Sequence, residues 1–222
     1  MPKEINMKTK ICGINKVEYA IQANNAGSNY IGLLIGITHV AEDKISVEEA
    51  EQIIINSNVD ISKFVMVTHL LDANEIISIL KRLNIQNVQL HDEISLDEIK
   101  KIREALPELY IIKAVHVLDE SAIDDFVKFE AFVDAIILDS RTETRLGGTG
   151  NTHDWNISAE ICRRCKKPVF LAGGLNPDNV IEAIKMVRPY AVDVNSGVED
   201  EFGNKDESKI VQFIKNATSL ED

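Results

Sequence analysis

Two stretches near the C-terminus decide how this chain folds: Val169-Phe170-Leu171-Ala172-Gly173-Gly174-Leu175-Asn176-Pro177 and Ala191-Val192-Asp193-Val194-Asn195-Ser196-Gly197-Val198. Each runs from a short apolar, strand-forming segment into glycine, then toward a helix with Asn, Ser or Asp at its start. Glycine lets backbone N–H groups approach a ligand closely, and a helix N-terminus adds a partial positive charge. The two ends lie one strand–helix unit apart. In a (β/α)8 barrel the loops after strands 7 and 8 form a phosphate cradle of this kind. The pair therefore predicts a TIM barrel and a phosphorylated ligand, held by the backbone at Gly173, Gly174, Asn195, Ser196 and Gly197.

The rest of the chain repeats the pattern. Apolar runs at 9–14, 30–35, 64–68, 88–91, 110–116, 133–139, 169–173 and 191–195 read as strands, and their near-continuous hydrophobicity suits parallel strands covered on both faces. Amphipathic stretches between them read as helices at 47–55, 97–105, 179–186 and 207–214. Ser46 with Glu49 forms a capping-box signature before the first of these. Eight such units in one domain spanning residues 1–222 point to the barrel, with a doubly wound open sheet as the alternative. The longest irregular stretch, 140–154, carries Gly147-Gly148-Thr149-Gly150, a loop able to close over a ligand.

Composition narrows the partners. A net charge of −12 argues against nucleic acid, whose phosphates would be repelled, but leaves local anion binding by glycine loops open. No apolar run approaches the roughly 20 residues that span a bilayer, and residues 1–6 have no signal-peptide core. Three scattered cysteines make no disulfide framework. The expectation is a cytoplasmic protein, monomer or homodimer, acting on a small phosphorylated molecule.

Chemistry in a barrel sits at the C-terminal ends of its strands. Cys12 ends the first strand, where a thiolate serves as base or nucleophile if its pKa is lowered. Asp139 ends the sixth, and a carboxylate there is costly unless it is paired or used as an acid. His39, His69, His91 and His116 follow strands two to five; they are read as substrate contacts, with convergence on a divalent metal as the minority reading. Cys162 and Cys165 share only the spacing of a redox motif, inside a helical stretch.

These segments together resemble the phosphoribosylanthranilate isomerase family. The matching residues are Lys10-Ile11-Cys12-Gly13-Ile14, Val88-Gln89-Leu90-His91, Ile112-Lys113-Ala114, Leu138-Asp139-Ser140, Gly147-Gly148-Thr149-Gly150 with Asp154-Trp155, residues 170–180, and 192–199 followed by Gly203-Asn204-Lys205-Asp206. The resemblance implies a cofactor-independent Amadori rearrangement in tryptophan biosynthesis. Asp139 would protonate the ribose ring oxygen and Cys12 would remove the C2 proton. Gly148 and Gly150 would join Gly173, Gly174, Asn195, Ser196 and Gly197 around the phosphate, and no metal is assigned. One departure stands out. The family usually carries an arginine after strand 2 that pairs with the anthranilate carboxylate, whereas residues 36–46 contain none, leaving Lys44 as a weaker, monodentate cation. A divergent paralogue working on another phosphosugar, a metal-dependent epimerase and a non-enzymatic phosphosugar-binding protein are the competing readings.

Overall fold

The computed structural model describes residues 7–38, 43–91, 93–140 and 154–219. The strands are β1 (Lys8–Ile11), β2 (Tyr30–Ile35), β3 (Lys44–Ile45), β4 (Phe64–Thr68), β5 (Asn87–Leu90), β6 (Tyr110–His116), β7 (Ala135–Asp139), β8 (Val169–Leu171) and β9 (Ala191–Val194). The helices are α1 (Val17–Asn25), α2 (Val47–Ser57), α3 (Ala73–Leu83), α4 (Leu96–Ala105), α5 (Ala122–Asp125), α6 (Val127–Glu130), α7 (Trp155–Arg164), α8 (Val180–Val187) and α9 (Glu207–Thr218). Every strand pairing is parallel.

Because β1 pairs with both β2 and β9, the sheet closes into an eight-stranded barrel, and the open doubly wound alternative is excluded. The short β3 lies beside the end of β2, with Lys44 opposite Leu34. It is too brief to carry a periodic signal, and the sequence pattern passed over it.

Period-two alternation sorts the strand residues into two cores. Ile11, Ile31, Leu33, Val88, Leu90, Ile136 and Val192 face the helices. Val65, Val67, Ile112, Ala114, Ala135, Ile137, Phe170 and Ala191 fill the barrel lumen, with Cys12 above them. The lumen is therefore a packed plug, not a pore, and substrate chemistry is confined to its upper rim. Five helices carry side-chain caps, from Ser46, Asp72, Ser95, Asp154 and Asp206. At Ser46 the anticipated capping box is complete: its N–H donates to the Glu49 carboxylate at 2.7 Å, and its hydroxyl accepts from the Glu49 N–H at 3.2 Å.

Five strand ends fall short of the sequence pattern. The first strand stops at Ile11, β8 at Leu171, β5 at Leu90 and β9 at Val194, and β7 begins at Ala135 rather than 133. The first shortfall is slight, since the Cys12 N–H still donates to the Val194 carbonyl at 2.8 Å. The second is larger: Gly173 and Gly174 take φ values of 83° and 68°, which no strand contains. The second glycine stretch also departs from expectation, entering a three-residue 3₁₀ turn at Ser196–Val198 before α9.

Phe170 is fully buried in the lumen and stacks at a tilt on Tyr30 (ring centroids 5.4 Å apart). Phe170→Ala is expected to cost about 3–5 kcal/mol. Urea denaturation would show this as a lower midpoint with the slope unchanged.

Candidate active site at the barrel mouth

The same alternation that fills the lumen aims the polar residues. Lys10 and Cys12 share a parity on β1 and just beyond it. Gln89 and His91 do so at β5, and Ala135, Ile137 and Asp139 on β7. Cys12, Asp139, His69, His91 and His116 thus come to one mouth from different strands.

Below the mouth lies an ion pair. Lys10 is fully buried, and its Nζ donates to Asp193 Oδ2 at 2.9 Å. The two residues are register partners across β1 and β9. Asp193 holds the ammonium above its ordinary pKa despite burial, so Lys10 keeps its proton. Gly32 on β2 makes room beside it. A Cβ there would stand 2.7 Å from Cys12 Sγ and 3.2 Å from Lys10 Nζ.

The candidate base and acid are both titrated away from their ordinary values. Burial pushes the Cys12 thiol up to about 11, opposed chiefly by Lys10 and assisted by Asp193 and Asp43. Burial and then the Asp193 charge raise Asp139 to about 7, against the Ser140 N–H, which donates to Asp139 Oδ1 at 2.8 Å, and Lys10. A carboxyl poised there is half protonated near neutrality, the condition a general acid needs.

His69 and His91 stack at 4.7 Å with rings only 13° apart, and His116 tilts against His91 at 6.0 Å. Burial, then the neighbouring His69, His116, Lys113 and Lys10, hold His91 well below its usual range. Its neutral Nε2 accepts from the Gln89 amide at 2.6 Å. The three rings are thus packed on one another. Among the described residues no group of three or more His, Cys, Asp or Glu side chains is arranged to hold a metal ion.

The two glycine ends meet as neighbours. Gly197 lies against the Leu175 carbonyl with no space for a side chain, and Gly173 lies against Ser140, whose N would be 2.6 Å from a Cβ. The Asn179 amide donates to the Gly174 carbonyl at 2.9 Å, and Asn176 N–H to Asn179 Oδ1 at 2.8 Å, fixing the turn before α8. The side chain of Asn195, a residue expected at the ligand, is braced within the protein. Its Nδ2 donates to Asp43 at 2.6 Å, and its Oδ1 accepts from the buried Lys205, which also donates to Glu199 at 2.6 Å. This bridge passes over Gly13, whose φ of 70° and crowding by Asn195 and Asp43 leave no room for a Cβ. Lys44 sits exposed on β3, and it is the preceding residue, Asp43, that reaches the site.

His39, Gly148 and Gly150 lie outside the described residues. Lys10, Gly32, Asp43, Gln89, Asp193 and Lys205 are the site-forming residues that sequence reading passed over. The signal for Lys10 and Asp193 was present, as opposite charges inside two apolar strands.

Fold and site together define a (β/α)8 barrel with a thiol, a carboxyl and a double glycine turn at its mouth. The model of the family described as N-(5'-phosphoribosyl)anthranilate (PRA) isomerase matches residues 9–216. N-(5'-phosphoribosyl)anthranilate isomerase 2 of Methanosarcina mazei is 41% identical over 95% of this chain and 94% of its own. The crystal structure of the Thermotoga maritima phosphoribosyl anthranilate isomerase, a dimeric enzyme, is 33% identical with a TM-score of 0.84, covering 96% of this chain and 100% of that one. A phosphoribosyl anthranilate isomerase in complex with reduced 1-(o-carboxyphenylamino)-1-deoxyribulose 5-phosphate aligns at 32% identity and a TM-score of 0.80, over 96% and 100% of the two chains. The chain belongs to the phosphoribosylanthranilate isomerase family.

The Asp139 environment has a consequence for stability. The folded protein holds this proton up to about pH 7, whereas the unfolded chain releases it near about pH 4. The proton-bound fold is favoured below that window, and the advantage is lost as pH rises through 7. Asp139→Asn removes the titration. At about pH 8 it is expected to be more stable than the parent by up to about 4 kcal/mol, the gap closing toward about pH 4. Thermal melts across that range read the difference, and a gap independent of pH would count against the buried-carboxyl reading.

Proposed function

We propose that this protein isomerises N-(5'-phosphoribosyl)anthranilate to 1-(2-carboxyphenylamino)-1-deoxyribulose 5-phosphate, a step of tryptophan biosynthesis. The observation that carries the reading is a carboxyl half protonated near neutrality and a thiol at the same barrel mouth, in a chain of this family.

Protonated Asp139 gives its proton to the ribose ring oxygen. The C1–O bond breaks, and the anthranilate nitrogen lone pair forms a C=N bond to C1, leaving Asp139 as carboxylate. The Schiff base acidifies C2–H by accepting its electrons. Cys12 takes that proton as thiolate, a form that burial makes scarce rather than abundant in the free protein, contrary to the lowered pKa expected for a base, and the resulting enolamine tautomerises to the ketose. Asp139 and Cys12 therefore act in sequence, with no cofactor required. The turn at Gly173-Gly174 and the apposed Ser196-Gly197 offer backbone N–H groups for the 5'-phosphate, the role also proposed for Gly148 and Gly150. His69, His91 and His116 line the side away from that turn. The flat His69–His91 stack, with His91 held neutral, suits an aromatic aglycone better than a second anion.

Residues 36–46 hold no arginine, an observation that favours a second reading in which the same chemistry serves a different phosphosugar conjugate. The protein is read as one catalytic domain and as monomer or homodimer, the dimeric Thermotoga maritima relative supporting the second. No helix among the described residues is long and apolar enough to cross a membrane, and the free cysteines support a reducing, cytoplasmic setting.

The fluorescence of the anthranilate conjugate gives a direct assay. Cys12→Ser and Asp139→Asn are each expected to lower kcat by about a thousandfold while retaining affinity for a reduced product analogue. Full turnover in either variant removes that residue from the mechanism. A parent protein that binds the analogue but does not turn over the anthranilate conjugate supports the second reading.

A further inference from the structure

Lys10 is among the largest fully buried side chains of the described residues, yet it carries a charge. A buried lysine–aspartate pair is often no more stable than a well-packed apolar pair of the same volume, because both charges leave water. The pair persists here directly beneath Cys12. Lys10 and Cys12 stand two residues apart on one strand line with their side chains on the same face. Gly32, by lacking a side chain, leaves the notch that both groups border. Asp193 accepts one Lys10 hydrogen at 2.9 Å and anchors the ammonium from the last strand.

The geometry points to Lys10 as a positioning residue for the isomerase reaction: its ammonium, fixed by Asp193, stabilises the Cys12 thiolate that accepts the C2 proton. This rests on the reading of Cys12 as the base. Lys10 gives up no proton in the step; the proton moves from C2 to sulfur, and the ammonium's field acts on the charge that sulfur carries beforehand. Cys12 feels Lys10 on its own strand, Asp193 from β9 and Asp43 from the segment after β2. Asp139 on β7, His91 on β5, Lys113 and His116 on β6, His69 after β4 and Lys205, which acts on Asp193, are the further charged and titratable groups around this cluster. Lys10 is the main group opposing the upward push of burial on the thiol.

The test uses the full chain with Cys162 and Cys165, the other free cysteines, replaced by serine. The rate of Cys12 alkylation by iodoacetamide is followed from about pH 7 to about pH 10, where, with the thiol at about 11, the rate is proportional to the thiolate fraction and needs no reference to turnover. Lys10→Met alone leaves Asp193 buried and unpaired and can fail to fold. The paired variant Lys10→Met with Asp193→Asn removes both charges. In it the alkylation rate at a given pH is expected to fall about tenfold, the same rate being reached about one pH unit higher, and kcat near neutral pH to fall about tenfold with KM little changed. The pH shift of alkylation is the readout that a purely structural role would not produce, because turnover also depends on the Asp139 proton, which is lost as pH rises through about 7. An unchanged alkylation rate in the paired variant, with Cys12→Ser inactive, overturns the proposal alone. Turnover retained in Cys12→Ser overturns the reading of Cys12 as base, and the proposal with it.

Discussion

The barrel closes where its first and last strands meet, and at that seam the lumen holds charge rather than hydrocarbon. Lys10 and Asp193 face each other in register across β1 and β9. Either alone would be a buried, unpaired ion costing several kcal/mol, so each strand requires the other. The pair therefore acts as a register lock for closure and, in the same place, as a source of field. The site above inherits both properties: its geometry from the seam and its electrostatics from the two charges.

Burial raises the pKa of both the thiol and the carboxyl, Asp193 adds to the rise at each, and Lys10 opposes it at each. Lys10 is the stronger influence of the two at Cys12, and Asp193 the stronger at Asp139. The stacked imidazoles belong to a different regime. Crowded by cations and buried, His91 stays neutral and hydrogen-bonds Gln89, contributing a flat surface and no charge.

Much of this was legible before the fold was known. A parallel barrel shows as apolar runs at regular spacing, and a polar residue closing such a run, as Cys12 and Asp139 do, is conspicuous because burial taxes it. The glycine pairs were legible because their conformation excludes other residues. Less visible was whatever depends on register between distant segments. Asp193 contacts a lysine 183 positions away, and Asp43 contacts Asn195 at a separation of 152. The Asn195 side chain, just past a strand, is held by Asp43 and Lys205, partners that no local pattern reveals. Gly32 lies mid-strand and resembles any small core residue; only the atoms around it show that it is a notch for sulfur and ammonium.

The two-residue alternation of the strands carries an evolutionary consequence. Inserting or deleting a single residue within β1 or β7 would turn Cys12 or Asp139 from the lumen toward the helices, together with every inward side chain beyond the change. Length changes in the connecting loops leave that parity untouched. The proposed base and acid are thus tied to strand length, while the loops around the mouth are free to vary. A lineage can remodel what it accepts, by indels at the rim, long before it can alter what it does.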